Sequence, residues 1–186
     1  MDIECFLAEP INRVAIELRR YVSSVEVKCS GHFGYHNASV VIAEKDKVIP
    51  EERYEKMSDE QIANDDPRWP KTCPCGYEFQ DADERQINEH RLYAGKGQRF
   101  TLRDAPAGAM WDAWWMGEQS KGPDGVHLVV QTPGGEWMPD SPSRNPDGTQ
   151  GASWTRTGTL PVVTVRPSIL MRNYHGFLTD GVLRDA

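Results

Sequence analysis

No apolar run in this chain approaches the ~18–20 residues of a membrane-crossing helix, so no helical span is expected. Basic clusters are equally scarce. Arg19-Arg20 is the one adjacent basic pair, and 21 Lys and Arg against 28 Asp and Glu leave a net charge of −7. A surface with that balance repels a phosphate backbone, so a nucleic-acid partner is not expected. The catalytic signatures are missing as well. There is no Gly-x-Ser-x-Gly elbow, no His-Glu-x-x-His, no phosphate loop and no dinucleotide fingerprint. The opening Met-Asp-Ile-Glu-Cys-Phe-Leu is acidic and lacks the apolar core of a signal peptide, which points to the cytosol. In that reducing compartment the four cysteines read as metal or redox groups before disulfides.

What is present describes a globular protein. The composition is 38% hydrophobic and 26% charged, and 186 residues suffice for one substantial core. Sixteen Gly and thirteen Pro imply many turns between short elements. The expected fold is α+β: one β-rich domain over residues 1–186, a twisted antiparallel sheet or small sandwich with two or three flanking helices and a zinc knuckle.

Three segments carry the helical expectation. Ile11, Val14, Ala15, Leu18 and Val22 recur at helical spacing behind Pro10, which predicts a helix over 10–22. Ser58-Asp-Glu-Gln61 is a capping-box pattern before a short helix at 59–64, and Asp81-Ala-Asp-Glu84 opens another to about Leu92. Between them, residues 44–71 read as an acidic, mobile connection, with nine acids against four bases over 44–66. Strands are expected at 25–29, 38–43, 100–102, 126–131, 136–138, 153–157, 162–165 and 169–171. The sharpest signal is Asp180-Gly181 between two apolar runs, a two-residue hairpin turn whose positions both need positive φ.

Cys73-Pro-Cys75-Gly76 is the most informative tetrapeptide. Two close cysteines in a tight turn, with glycine after the second, is how zinc knuckles present thiolates. Zinc needs two further ligands, and Cys29 with His32 form the natural second pair; His36, His90 and Cys5 are the substitutes. Trp111, Trp114 and Trp115 lie within five residues and offer either a ligand-binding wall or a piece of core. His175 and His127 are the candidate catalytic residues, on the reading that a metal with an open position lies near them and the protein is a hydrolase or transferase. The other reading is a binding module for a protein or small ligand.

A set of strings spread over most of the chain carries a resemblance. They are Asp66-Pro-Arg-Trp69, Cys75-Gly-Tyr-Glu-Phe79, Phe100-Thr-Leu-Arg-Asp-Ala-Pro106, Gly108-Ala-Met-Trp111, Gly122-Pro-Asp-Gly125, Val130-Gln-Thr-Pro-Gly-Gly135, Trp154-Thr-Arg-Thr-Gly158, Pro167-Ser-Ile169 and Tyr174-His-Gly-Phe-Leu178. Together they resemble an uncharacterised family of phage and actinobacterial proteins. The resemblance implies a phage-borne accessory protein in the host bacterial cytoplasm, with virion association left open and no activity to carry over. It also places a Cys-x-x-Cys-Gly knuckle where this chain has Cys73-Pro-Cys75-Gly76. The resemblance also implies a cysteine-containing insert, frequent in the family, that this chain omits between Val165 and Ser168.

Overall fold

Strands dominate because both faces of several segments are covered at once. The computed structural model describes residues 1–22, 29, 34–48, 55–143, 147–151 and 153–186. Among these there are fourteen strands and no α-helix; the 3-10 turns include Leu102–Asp104 and Glu118–Ser120. The chain folds as two compact units, Met1–Pro10 with Tyr93–Ala186, and Ile11–Leu92.

In the first unit, one antiparallel sheet runs β1 (Asp2–Glu4), β14 (Val182–Asp185), β13 (Tyr174–Thr179), β12 (Val162–Met171) and β11 (Thr155–Thr159). The second sheet runs β10 (Gly135–Trp137), β9 (Leu128–Thr132), β8 (Ala109–Asp112) and β2 (Phe6–Leu7), with β2 parallel to β8. Residues alternate across a strand, so β8 and β9 feed two cores. Met110, Leu128 and Val130 meet Val163, Ile169, Leu178 and Leu183 of the first sheet, forming a sandwich core. Ala109, Trp111 and Val129 point the other way, against Tyr93, Phe100 and Leu102. The unbroken apolar run in β9 is thus a strand covered on both sides.

The Asp180-Gly181 turn forms as expected. Thr179 pairs with Val182, and φ is 48° at Asp180 and 73° at Gly181. A Cβ on Gly181 would come within 2.7 Å of the Pro161 carbonyl oxygen, so glycine is needed there for space as well as for φ. Pro167 lies in β12 where the register with β13 shifts, between Val165 and Ile169; a bulge tolerates the missing N–H.

The second unit is a sheet ordered β4 (Asn37–Asp46), β3 (Glu9–Tyr21), β6 (Glu84–Gly95) and β5 (Glu55–Met57). Here the expected helices are corrected. Residues 10–21 lie in β3, with Pro10 at its exposed start and Val22 just past its end, and the segment from Asp81 to Leu92 is a turn followed by β6. Val14 to Leu18 are all buried, because β3 is flanked on both edges and covered on both faces. A strand buried this way loses its period of two, and the residual spacing imitates a helix. Ser58 does not cap a helix: its hydroxyl accepts the Glu60 N–H at 3.1 Å and donates to Glu89 at 3.1 Å. The described part of 44–71 includes the end of β4, β5 and a buried Trp69 whose indole N–H donates to the Ala63 carbonyl at 2.8 Å.

The buried polar groups of β3 and β6 satisfy one another. The His90 Nε2 lies 2.8 Å from Glu17 Oε2, and the Asn88 amide donates to the same oxygen at 3.2 Å. Burial alone pushes the Glu17 carboxyl up, but hydrogen bonds from His90, Ser39 and Asn88 outweigh it and hold the pKa at about 2. A depressed carboxylate stabilises the fold above its unfolded pKa, and the contribution disappears as pH falls toward about 2. Glu17→Gln is therefore expected to lower the melting temperature at pH 7, with the gap to wild type closing below pH ~4. A gap independent of pH in thermal melts would refute this.

Candidate metal centre

The last turn of β3 and the first residue of β4 set up one half of the site. Tyr21 pairs with Asn37, and the Val22 N–H donates to the His36 carbonyl at 3.0 Å, which fixes His36 at the mouth of the hairpin. Cys29 belongs to the connection between these strands, and its N–H donates to the Gly34 carbonyl at 3.2 Å.

The other half is a miniature hairpin. Thr72 bridges Glu78, the Cys73 N–H donates to the Tyr77 carbonyl at 2.8 Å, and the Gly76 N–H donates back to the Cys73 carbonyl at 2.8 Å. This makes Cys73-Pro74-Cys75-Gly76 a four-residue turn. Pro74 stands where its fixed φ is favoured, and Gly76 takes a φ of 94° that a side chain would resist. Arg20 donates to the Gln80 carbonyl, and its guanidinium lies over the Phe79 ring at 5.1 Å from the centroid, tying this hairpin to β3.

These halves bring Cys29, His36, Cys73 and Cys75 together, with one ligand atom of each within 4.8 Å of every other. Cys29 Sγ lies 3.8 Å from Cys73 Sγ, and His36 Nδ1 lies 3.2 Å from Cys75 Sγ. A disulfide needs ~2 Å between sulfurs, whereas tetrahedral thiolate bonds of ~2.3 Å place two ligand sulfurs ~3.8 Å apart. All four cysteines of the chain are free. The donor set and its spacing fit a bound metal ion. Cys29, Cys73 and His36 are buried, while Cys75 faces solvent.

Electrostatics prepare the thiolate. Burial pushes the Cys73 thiol up, but the N–H groups of Cys75 and Asn37 and the side chains of His36 and Cys75 more than offset it, bringing the pKa to about 6. The His36 ring stacks on Tyr77 at 4.1 Å with 14° between planes, and Tyr77 meets Phe79 edge-on at 5.8 Å. The Tyr77 hydroxyl donates to Asp83 at 3.2 Å, so the ring that orients His36 is itself anchored.

The other named residues fall elsewhere. His32 lies outside the described residues. Among the substitutes, His36 is the one at the cluster; His90 is engaged with Glu17, and Cys5 is part of the sandwich core, where burial pushes its thiol up to about 11. Trp111 is core, while Trp114 and Trp115 are half-buried in the turn after β8 and meet edge-on at 5.2 Å. His127 is buried 3.6 Å from Asp112, and His175 stands exposed on β13 beside Phe177. Neither histidine joins a cluster of three or more metal-binding groups among the described residues. Tyr77 and Asn37 were not singled out from the sequence. Tyr77 follows the knuckle glycine directly, and that proximity was the available signal. Comparison with family models, curated proteins and solved structures gives no match for this chain.

Proposed function

We propose that this protein is a non-catalytic binding module whose Ile11–Leu92 unit is held by a structural zinc ion on Cys29, His36, Cys73 and Cys75. The observation that carries this reading is the convergence of those four donors, three of them buried and none in a disulfide. Three thiolates and an imidazole in tetrahedral array are the donor set zinc takes in closed structural sites. Bound there, zinc would supply cross-linking and folding free energy rather than chemistry. A four-donor set leaves no open position for water or substrate, which removes support from the hydrolase reading. His127 and His175 belong to the other unit and have no nucleophile assigned to them.

As a binding module the protein would take a protein or small-molecule partner, with the half-exposed Trp114 at the contact. The resemblance to phage and actinobacterial proteins supports a phage-borne accessory role in a bacterial host.

Elemental analysis of chain purified without chelators is expected to find one zinc per chain. Iron in its place, or a folded chain with no metal, would overturn the metal assignment. Affinity capture with wild type and Trp114→Ala tests the contact: equal recovery of the same partner would exclude Trp114 from it.

A further inference from the structure

Three of the four donors are shielded and one is not. Cys75 faces solvent, its sulfur held 3.2 Å from the His36 ring nitrogen, whereas Cys29 and Cys73 lie behind it with their sulfurs 3.8 Å apart. An exposed thiolate is the point at which an oxidant can enter, and neighbouring thiolates within ~4 Å can resolve the product as a disulfide. The fourth cysteine, Cys5, is buried in the sandwich core of the other unit.

We propose that Cys75 is an oxidation site through which a peroxide converts the cluster into a Cys29–Cys73 disulfide and expels the metal. The expulsion rests on the zinc reading above; the disulfide does not. In the first step the Cys75 thiolate attacks one peroxide oxygen, the O–O bond breaks, and hydroxide leaves, giving a sulfenic acid. The Cys73 thiolate then attacks the Cys75 sulfur; the S–O bond breaks, a second hydroxide departs, and a Cys73–Cys75 disulfide forms. Cys29 next attacks the Cys73 sulfur and Cys75 leaves as thiolate, the better-solvated leaving group. In sum, two thiolates lose two electrons to one peroxide, which is reduced to two hydroxides. The metal dication keeps only His36 and Cys75 and dissociates.

The Cys73–Cys75 stage is transient for a geometric reason. Both cysteines belong to one four-residue turn, so a bond between them closes a small ring in which the two sulfurs cannot easily reach the relaxed geometry. Cys29 arrives from a different segment, 44 residues away in sequence, and carries no such constraint. Oxidation therefore replaces a metal cross-link between the two halves of the site with a covalent one.

The test uses the full chain loaded with one zinc, treated with stoichiometric hydrogen peroxide in the presence of a zinc-sensitive dye, with disulfides mapped by peptide mass spectrometry. Zinc release and the Cys29–Cys73 disulfide are expected to rise together, and dithiothreitol should reverse both. Cys75→Ser is expected to slow the disulfide at least about tenfold. In Cys29→Ser the reaction should stop at the Cys73–Cys75 disulfide, a product that needs no comparison of rates. Cys5 should stay reduced throughout. A chain that keeps its zinc while Cys75 is oxidised alone overturns the proposal, as does a wild-type end product linking Cys73 to Cys75. If the chain takes up no zinc, the metal reading fails by itself, and mapping the metal-free chain still decides whether Cys29 and Cys73 pair.

Discussion

Replacing Cys73 with serine is expected to abolish metal binding and to unfold the knuckle together with the mouth of the β3–β4 hairpin. The apolar cluster at this place has four buried members, Val22, Cys29, Cys73 and Phe79, with Ala38 and Tyr77 half-covering them. At ~1.5–3 kcal/mol per buried side chain, so small a cluster does not offset the ordering of the loops around it. Structural zinc in small peptides contributes about 10–16 kcal/mol, so the ion would dominate locally. Metal content should fall from one per chain to none. Amide exchange at Cys29 and Phe79 should accelerate about a hundredfold or more, the equivalent of ~2.7 kcal/mol of lost local stability. Amides of Leu178 and Leu183, in a separate core, should be unaffected. Cys5→Ser serves as control and should retain the metal. Full zinc retention in Cys73→Ser would remove the cluster as the binding site.

Arg156→Met is expected to be the most damaging single change in the other unit, at about 3–5 kcal/mol. The Arg156 side chain is 2% exposed and holds two carboxylates at once. Its Nη1 and Nη2 donate to Asp124 at 2.7 and 2.6 Å, and its Nε donates to Asp140 at 3.0 Å. Asp140 is 7% exposed, so removing the guanidinium leaves a buried carboxylate without its cation. A Cβ on Gly122 would collide with the same guanidinium, which shows how closely the loop is wrapped around it. Arg156→Lys should recover only part of the loss, because an ammonium cannot make the paired contacts to Asp124 and reach Asp140 together.

The acid limb follows from the same cluster. The hydrogen bonds from Arg156 hold Asp124 at a pKa of about 2. The stabilisation is complete above the ordinary carboxylate range near 4 and is lost as pH falls through about 2. Thermal melts at pH 7 and pH ~2.5 should therefore show Arg156→Met furthest from wild type at neutral pH. An equal deficit at both would mean that packing, not charge, explains the loss.

Local chemistry was legible in the sequence wherever a few adjacent residues decide the outcome. Asp180-Gly181 is such a place, since a two-residue turn with two positive φ values admits few residues. The Cys73-Pro74-Cys75-Gly76 turn is another: proline and glycine set the backbone, and the thiols follow from it. The strand character of residues 9–21 was not legible. Its apolar positions satisfy a helical template, and only the pairing with β4 and β6 shows it to be a strand, buried from Val14 through Leu18. The buried Glu17 and Arg20 argue the same way, since their partners, His90 and the Gln80 carbonyl, are supplied by distant segments. Lys96-Gly97, with φ values of 47° and 73°, is a hairpin turn of the same kind as Asp180-Gly181, without aspartate to signal it.

By itself the sequence determined that the chain is rich in strands and turns and that Cys73 and Cys75 share a tight turn. These are properties of composition and of neighbours within four residues, where backbone sterics leave few choices. Cys29 was named from the sequence and lies in the cluster, 44 residues from Cys73; only the tertiary structure showed that His36, 39 residues from Cys75, joins it. On paper His32, at Cys-x-x-His spacing from Cys29, is the favoured partner and His36 a substitute. The pairing of Tyr21 with Asn37 and the Val22 to His36 hydrogen bond hold His36 at the hairpin mouth, stacked on Tyr77. Sheet register, a long-range property, brought His36 to the cysteines.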